Sequence, residues 1–304
     1  MSAPPAGVER DHPLARLTTV RTGGSAQFFA RPGTEAELLE LLAWAADRGL
    51  AVETIGSGSN LLVADEGVAG LVLKLAGELA SLERDGTRLV CGAGVRLPSA
   101  SAKLAGWGLT GLEFGVNIPG TVGGAVRMNA NAYGGRLADV LEWVDLCTGA
   151  GTERRAPEEL GFAYRSSALR PGEVVARAAF ALSEAEPGQI KGRLAEMRTW
   201  RREAQPSGIK TFGSTFKNPD PDDPRAGGRT AGQLLEAAGC QGLQVGGARL
   251  SPKHANFVEN RGEATTADVI AVMAQGRRRV REVFAVELEP EVQLLGDVRW
   301  PNDW

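Results

Sequence analysis

The sequence predicts a strand-rich mixed fold, cut by many tight turns and divided into two domains. Three observations carry this. Forty of the 304 residues are glycine, well above an average share of about 7%, and glycine is what tight turns and close backbone approach select. Apolar stretches are short and bounded by glycine, asparagine or proline, the pattern of ordinary strands. Composition shifts near 184–187, where a charged helical stretch leads toward the acidic, proline-rich segment DPDDPR. A domain boundary is expected within 185–205.

Residues 1–16 are rich in proline and alanine and are expected to form a mobile tail. Residues 17–30 are extended, turn at Gly23-Gly24 and end in a strand at 27–30. Thr34 and Glu37 have capping-box spacing and open a helix with Leu38, Leu41, Leu42 and Ala45 on one face; Gly49 ends it. A strand at 52–55 runs into GSGSN at 56–60, a loop in which backbone N–H groups can gather round an anion. The residues are not GxGxxG and no helix clearly follows, which argues against a dinucleotide-binding fingerprint; taken alone, the motif reads as a plain turn as readily as an anion loop. Short strands are expected at 71–73, 80–82 and 89–92, a helix over 97–105, and strands over 141–148 and 174–181.

Seven of the twenty-five residues from 111 to 135, GLEFGVNIPGTVGGAVRMNANAYGG, are glycine. Ile118, Val122, Ala125, Val126 and Met128 make the run too apolar for a linker. It is either a buried loop of tight turns or a platform for a large planar or phosphate-bearing cofactor. Beyond the boundary, helices are expected over 190–203 and 230–238 and a strand over 255–259. Thr265 and Thr266, with Asp268, start the clearest helix, whose buried face is Val269, Val272, Met273, Gly276, Val280 and Val283. Arg277, Arg278, Arg279 and Arg281 then form a solvated face that suits the helix dipole. The last strand is 288–295.

A net charge of −3 offers no electrostatic case for nucleic acid or a membrane surface. Cys91, Cys147 and Cys240 are too few and too scattered for a disulfide scaffold and fit a reducing cytoplasm. No signal-like apolar region or 18-residue apolar run is present. His12 and His254 are the only histidines, so no metal centre is expected.

Three constellations carry candidate chemistry. In FAYRSSAL (162–169), Arg165 beside Tyr164 can hold a carboxylate or a developing enolate if it faces a pocket. In GSTFKNP (213–219), Gly213 leaves Ser214 accessible, and Lys217 and Asn218 can contact phosphate or carbonyl oxygens. Ser214 has no histidine beside it in sequence, so it is better suited to a proton relay than to acyl transfer. In ELEPE (287–291), Glu291 precedes an apolar strand.

Taken in order, VRTGG at 20–24, GSGSN, IPGTVGGAVRMNANAYG at 118–134, YRSS at 164–167, GSTFKNP, SPKHANF at 251–257 and LEPEV at 288–292 resemble the UDP-N-acetylenolpyruvoylglucosamine reductase family over nearly the whole chain, 17–296. The short path from Tyr164-Arg165 to the next strand resembles the type that lacks an inserted tyrosine loop. The resemblance implies an α+β fold: an FAD-binding domain of the vanillyl-alcohol-oxidase type over 17–190 and a C-terminal substrate domain over 191–304. FAD would be held by Gly56, Ser57, Gly58, Ser59, Asn60 and Leu61 and by Pro119, Gly120, Thr121, Gly123, Gly124, Asn129 and Tyr133. It further implies NADPH as co-substrate, Arg165, Ser214 and Glu291 as catalytic residues, Tyr164, Lys217 and Asn218 as substrate contacts, and a cytoplasmic monomer. Another FAD oxidoreductase of this fold, or a non-catalytic nucleotide-binding protein, remains an alternative. Asn117 and Asn131 stand where glycine is more usual in the family; asparagine can take a left-handed conformation and so preserve the turn, and its side chain can either crowd the cofactor or hydrogen-bond to it.

Overall fold

A computed structural model describes residues 4–301 and 304. The chain forms two compact units that interleave in sequence. The first takes residues up to 12, then 27–57 and 69–201; the second takes 13–26, 58–68 and 202–304. The sequence reading draws one boundary, at 190/191. The second unit instead includes two early segments, on either side of a helix and strand of the first. The N-terminal stretch also differs from a plain tail, because Glu9–Pro13 is a strand paired to Ser25–Ala30 and His12 stacks on Phe29 at 4.0 Å.

The first unit is built on a five-stranded antiparallel sheet in the order Gly151–Arg155, Leu141–Thr148, Val174–Ala181, Arg88–Gly92 and Leu82–Asp85. Helix α1 (Glu35–Ala46) begins at the expected box: Thr34 Oγ1 accepts from Glu37 N, and Glu37 reaches back to Thr34 N. Its Leu38, Leu41, Leu42 and Ala45 pack with Cys147, Val174 and Ala176 on one side of the sheet. On the other side, Leu97, Ala100 and Leu104 of α2 (Leu97–Trp107) and Val122, Ala125 and Val126 of α3 (Val122–Arg127) pack with Leu146, Val175, Ala178 and Phe180. Strand residues alternate between faces, yet Val175 and Ala178 share one. The register shift between Asp145 and Leu146 explains this, since one extra residue inverts the alternation beyond it. Helix α4 (Pro187–Ala204) buries only Ile190 and Leu194, against Ala105 and Val116. Residues 80–82, expected as a strand, form the end of a 3-10 turn (Gly77–Ala80) and the first residue of the Leu82–Asp85 strand.

In the second unit, α5 (Ala231–Ala237) and α6 (Thr266–Phe284) pack with an antiparallel sheet of Gln244–Val245, Ala248–Leu250 and Val258–Asn260. The start of α6 is tied to the segment after GSGSN. Asp65 accepts from Thr266 N and Ala267 N at 2.8 and 3.0 Å, and Thr266 Oγ1 donates to Val63 O at 2.6 Å. Two of the four open N–H groups of the helix end thereby acquire a carboxylate at the positive end of the dipole. Val269, Val272, Met273, Gly276 and Val280 are buried as expected, but Val283 is 59% exposed. The arginines after the buried turn are not merely solvated: Arg277 donates to Leu288 O and pairs with Glu287, and Arg279 donates to Gly239 O. Arg277 thus holds the loop leading into LEPEV, and Arg279 the turn after α5.

Candidate functional site

The 56–60 loop needs glycine for packing at two points. A Cβ on Gly56 would lie 2.3 Å from Thr121 Oγ1, and one on Gly58, at φ 61°, would lie 2.1 Å from Leu17 O. Neither position can hold a side chain without moving backbone or a capping threonine. Lys74 Nζ donates to Gly56 O, and burial pushes its ammonium below the ordinary lysine range. Among the described residues no backbone N–H from 56 to 60 donates to a backbone carbonyl. A loop of unused amides with a lysine on its first carbonyl fits a diphosphate-bearing group.

The platform lies in the first unit with Gly56. Thr121 N-caps α3 and bridges Arg96, while Val122 N and Gly123 N donate to Val95 O and Ala93 O. The Gly123 amide is therefore occupied, and its missing Cβ lets α3 sit against Ala93. Gly120 is half-buried, and Pro119 and Gly124 are exposed. Neither Asn117 nor Asn131 is left-handed. The strained φ values belong to their neighbours Asn129 (40°) and Tyr133 (51°). Asn117 closes a 3-10 turn (Glu113–Asn117) and donates from Nδ2 to Tyr133 Oη at 2.6 Å and Met197 O at 2.8 Å. Its carbonyl accepts from Arg201, whose guanidinium burial pushes below the usual arginine range. Asn117 Nδ2 and Met197 O together hold the Tyr133 hydroxyl.

Asn129 is buried, and both ends of its amide are held within the unit: Nδ2 donates to Ala163 O and Oδ1 accepts from Ala138 N. That leaves its side chain as a bracket between the platform and the Tyr164-Arg165 loop. Arg165 is itself left-handed at φ 56° and donates to Asn131 O at 3.3 Å; its guanidinium lies 5.3 Å from the ring of Tyr164, which is 48% exposed. A non-glycine residue held at positive φ costs of order 1–3 kcal/mol and marks a position set by its surroundings.

The second unit holds the other two constellations on neighbouring extended segments. Thr215 N donates to Asn256 O at 2.8 Å, Glu291 N to Thr215 O at 2.9 Å, and Lys217 N to Glu289 O at 2.8 Å. Ser214 bridges Phe257 and Phe216 bridges Pro290. Glu291 thus lies on the extended segment bonded to that of Ser214, and both are half-buried. Gly213 turns at φ 86°, and Ser214 Oγ makes no hydrogen bond among the described residues. Lys217 pairs with Glu289 at 3.2 Å. Asn218 Oδ1 accepts from Ala231 N at 3.1 Å and so caps the start of α5, a structural part the sequence reading did not foresee.

Sequence reasoning also missed Asn256, whose Oδ1 accepts from Phe216 N and whose Nδ2 donates to Phe216 O, both at 2.9 Å. It missed a cavity of about 150 Å³ in the first unit, lined among others by Thr54, Glu53, Arg127 and Glu173. Burial pushes the Glu53 carboxyl up there, against the pull of Arg127. Neither feature leaves a local pattern in the chain. Thr215 Oγ1 is fully buried without a hydrogen-bond partner among the described residues. Thr215→Val therefore raises the unfolding free energy by about 1 kcal/mol, because it removes an unsatisfied hydroxyl; denaturant titration checks this, and a loss of stability would show that the hydroxyl has a partner.

The model of an FAD binding domain matches residues 26–156, and the chain is an FAD-dependent oxidoreductase of α+β fold with a further C-terminal domain. The model described as "UDP-N-acetylenolpyruvoylglucosamine reductase, C-terminal domain" matches 205–295. The reductase of that name from Rubrobacter xylanophilus is 43% identical over 289 residues, 94% of this chain and 95% of that protein. UDP-N-acetylenolpyruvoylglucosamine reductase 2 from Symbiobacterium thermophilum is 42% identical over 97% of this chain and 94% of its own length. The crystal structure of the Thermus caldophilus enzyme superposes with a TM-score of 0.81 at 39% identity, covering 97% of this chain and 99% of that one. The chain belongs to the UDP-N-acetylenolpyruvoylglucosamine reductase family.

Proposed function

We propose that the protein reduces UDP-N-acetylglucosamine enolpyruvate to UDP-N-acetylmuramate with NADPH, through FAD held by the 56–60 loop and the platform around Pro119, Gly120 and Thr121. When bound, FAD would supply two-electron carriage, as hydride, between NADPH and C3 of the enolpyruvyl ether. Arg165 holds the substrate carboxylate and opposes the negative charge that develops at C2, the kind of fixed charge that lowers such barriers most. Ser214 gives its proton to C2. A hydroxyl is a weak acid, so the basicity of that carbon drives the transfer and a neighbouring group or water restores the proton. Glu291 serves the same charge as a protonated carboxyl or through its hydrogen-bond network, since a bare carboxylate would oppose it. Tyr164 and Lys217 contact the substrate, and the reaction takes place in the cytoplasm.

The observation that supports this reading best is the bond from Glu291 N to Thr215 O, which brings the segments that carry Ser214 and Glu291 side by side within one unit. The test is anaerobic: protein loaded with FAD and bleached by NADPH is mixed with UDP-N-acetylglucosamine enolpyruvate. Return of the flavin absorbance with formation of UDP-N-acetylmuramate is expected. A preparation that stays bleached overturns the proposal.

A further inference from the structure

The last residue of the glycine-serine loop does something that a phosphate-binding loop alone does not require. Leu61–Val63 pairs in parallel with Gln293–Leu295, and the first rung of that ladder is Gln293 N donating to Asn60 O at 3.0 Å. Glu291 lies two residues before the ladder begins. There the side chain of Asn60 takes the place of a backbone donor: Nδ2 donates to Glu291 O at 3.1 Å. The Gln293 side chain reaches the same carbonyl at a longer 3.4 Å. From the other side, Glu291 N is held by Thr215 O. Both backbone polar groups of Glu291 are thus fixed, one by the segment that carries Ser214 and one by Asn60.

We propose that Asn60 is a positioning residue for Glu291, coupling the loop to the backbone that aims this carboxyl. The inference rests on the role proposed for Glu291. A half-buried carboxyl whose backbone slips by a fraction of an ångström loses the alignment on which transition-state hydrogen bonding depends. Asn60→Ala removes the donor, and Asn60→Asp keeps the size but sets oxygen against oxygen, so one variant covers a folding failure of the other.

Two readouts are needed. In the apoprotein, amide exchange at Glu291 and Gln293 is expected to speed up about tenfold in both variants, with the Ala248–Leu250 strand unchanged as control. In the FAD-saturated protein, reoxidation by the enolpyruvyl substrate slows about tenfold more than bleaching by NADPH does. In a Glu291→Gln background, Asn60→Ala slows reoxidation by less than about twofold, because its effect passes through Glu291. Unchanged exchange overturns the proposal, as does an equal loss in both backgrounds or a loss of FAD affinity alone. If the wild-type protein itself is not reoxidised by the substrate, the proposed function fails, and the exchange measurement still decides whether Asn60 holds the Glu291 backbone.

Discussion

The Ser214→Ala protein is bleached by NADPH at close to the wild-type rate, and its reoxidation by UDP-N-acetylglucosamine enolpyruvate is slower by about 10²–10⁴-fold, the usual contribution of a positioned proton donor. Stopped-flow absorbance of the flavin separates the two half-reactions. The division follows from where the hydroxyl sits. Ser214 is half-buried on an extended segment whose backbone is bonded to Asn256 and Glu291 through Thr215, and its Oγ makes no hydrogen bond among the described residues. Its truncation leaves no buried partner stranded, so the fold and the cofactor loop are undisturbed. A variant that fails to bleach but is reoxidised normally would remove Ser214 from the proton step.

Much of this arrangement is legible in the chain because local rules state it. Thr34 with Glu37 and Thr265 with Asp268 announce two helix starts, and both boxes form. The periodicity of α6 marks its buried face through Val280 but overruns at Val283, whose side chain is exposed while Phe284 beside it packs against the core. The glycine loops show where backbone must pass close to backbone, as at Gly58 against Leu17 O. They do not show which residues absorb the resulting strain. The left-handed positions fall on Asn129, Tyr133 and Arg165, and not on Asn117 or Asn131, since a tolerant residue takes that conformation only where tertiary bonds demand it.

The least legible parts are the amide brackets. Asn117 bonds to Met197, Asn256 to Phe216 and Asn60 to Glu291, partners 80, 40 and 231 residues away. No window of sequence contains both ends of such a bond. The side chains that hold the motifs in place are therefore harder to find than the motifs themselves. The interleaved units have the same cause: residues 13–26 and 58–68 join the second unit through pairings with strands far along the chain, such as Leu61–Val63 with Gln293–Leu295.

Asn256 offers the sharpest test of how much such a bracket contributes. It is 5% exposed, and its amide satisfies both backbone groups of Phe216, which is itself fully buried. Asn256→Ala leaves a buried N–H and a buried C=O without partners in a site too enclosed to rehydrate freely. At about 1–3 kcal/mol for each group, the unfolding free energy falls by roughly 3 kcal/mol, and the thermal midpoint drops by several degrees. Asn256→Asp keeps the acceptor for Phe216 N but turns a second oxygen toward Phe216 O and buries a charge, so it destabilises more than alanine does. That order separates the bracket from simple loss of packing, for which aspartate, nearly the same size as asparagine, would be the milder change. Guanidinium titration of the three proteins reads it directly. A loss below about 1 kcal/mol for alanine, or a milder effect for aspartate, would mean that the segment bearing Ser214 is held by its neighbours' backbone alone.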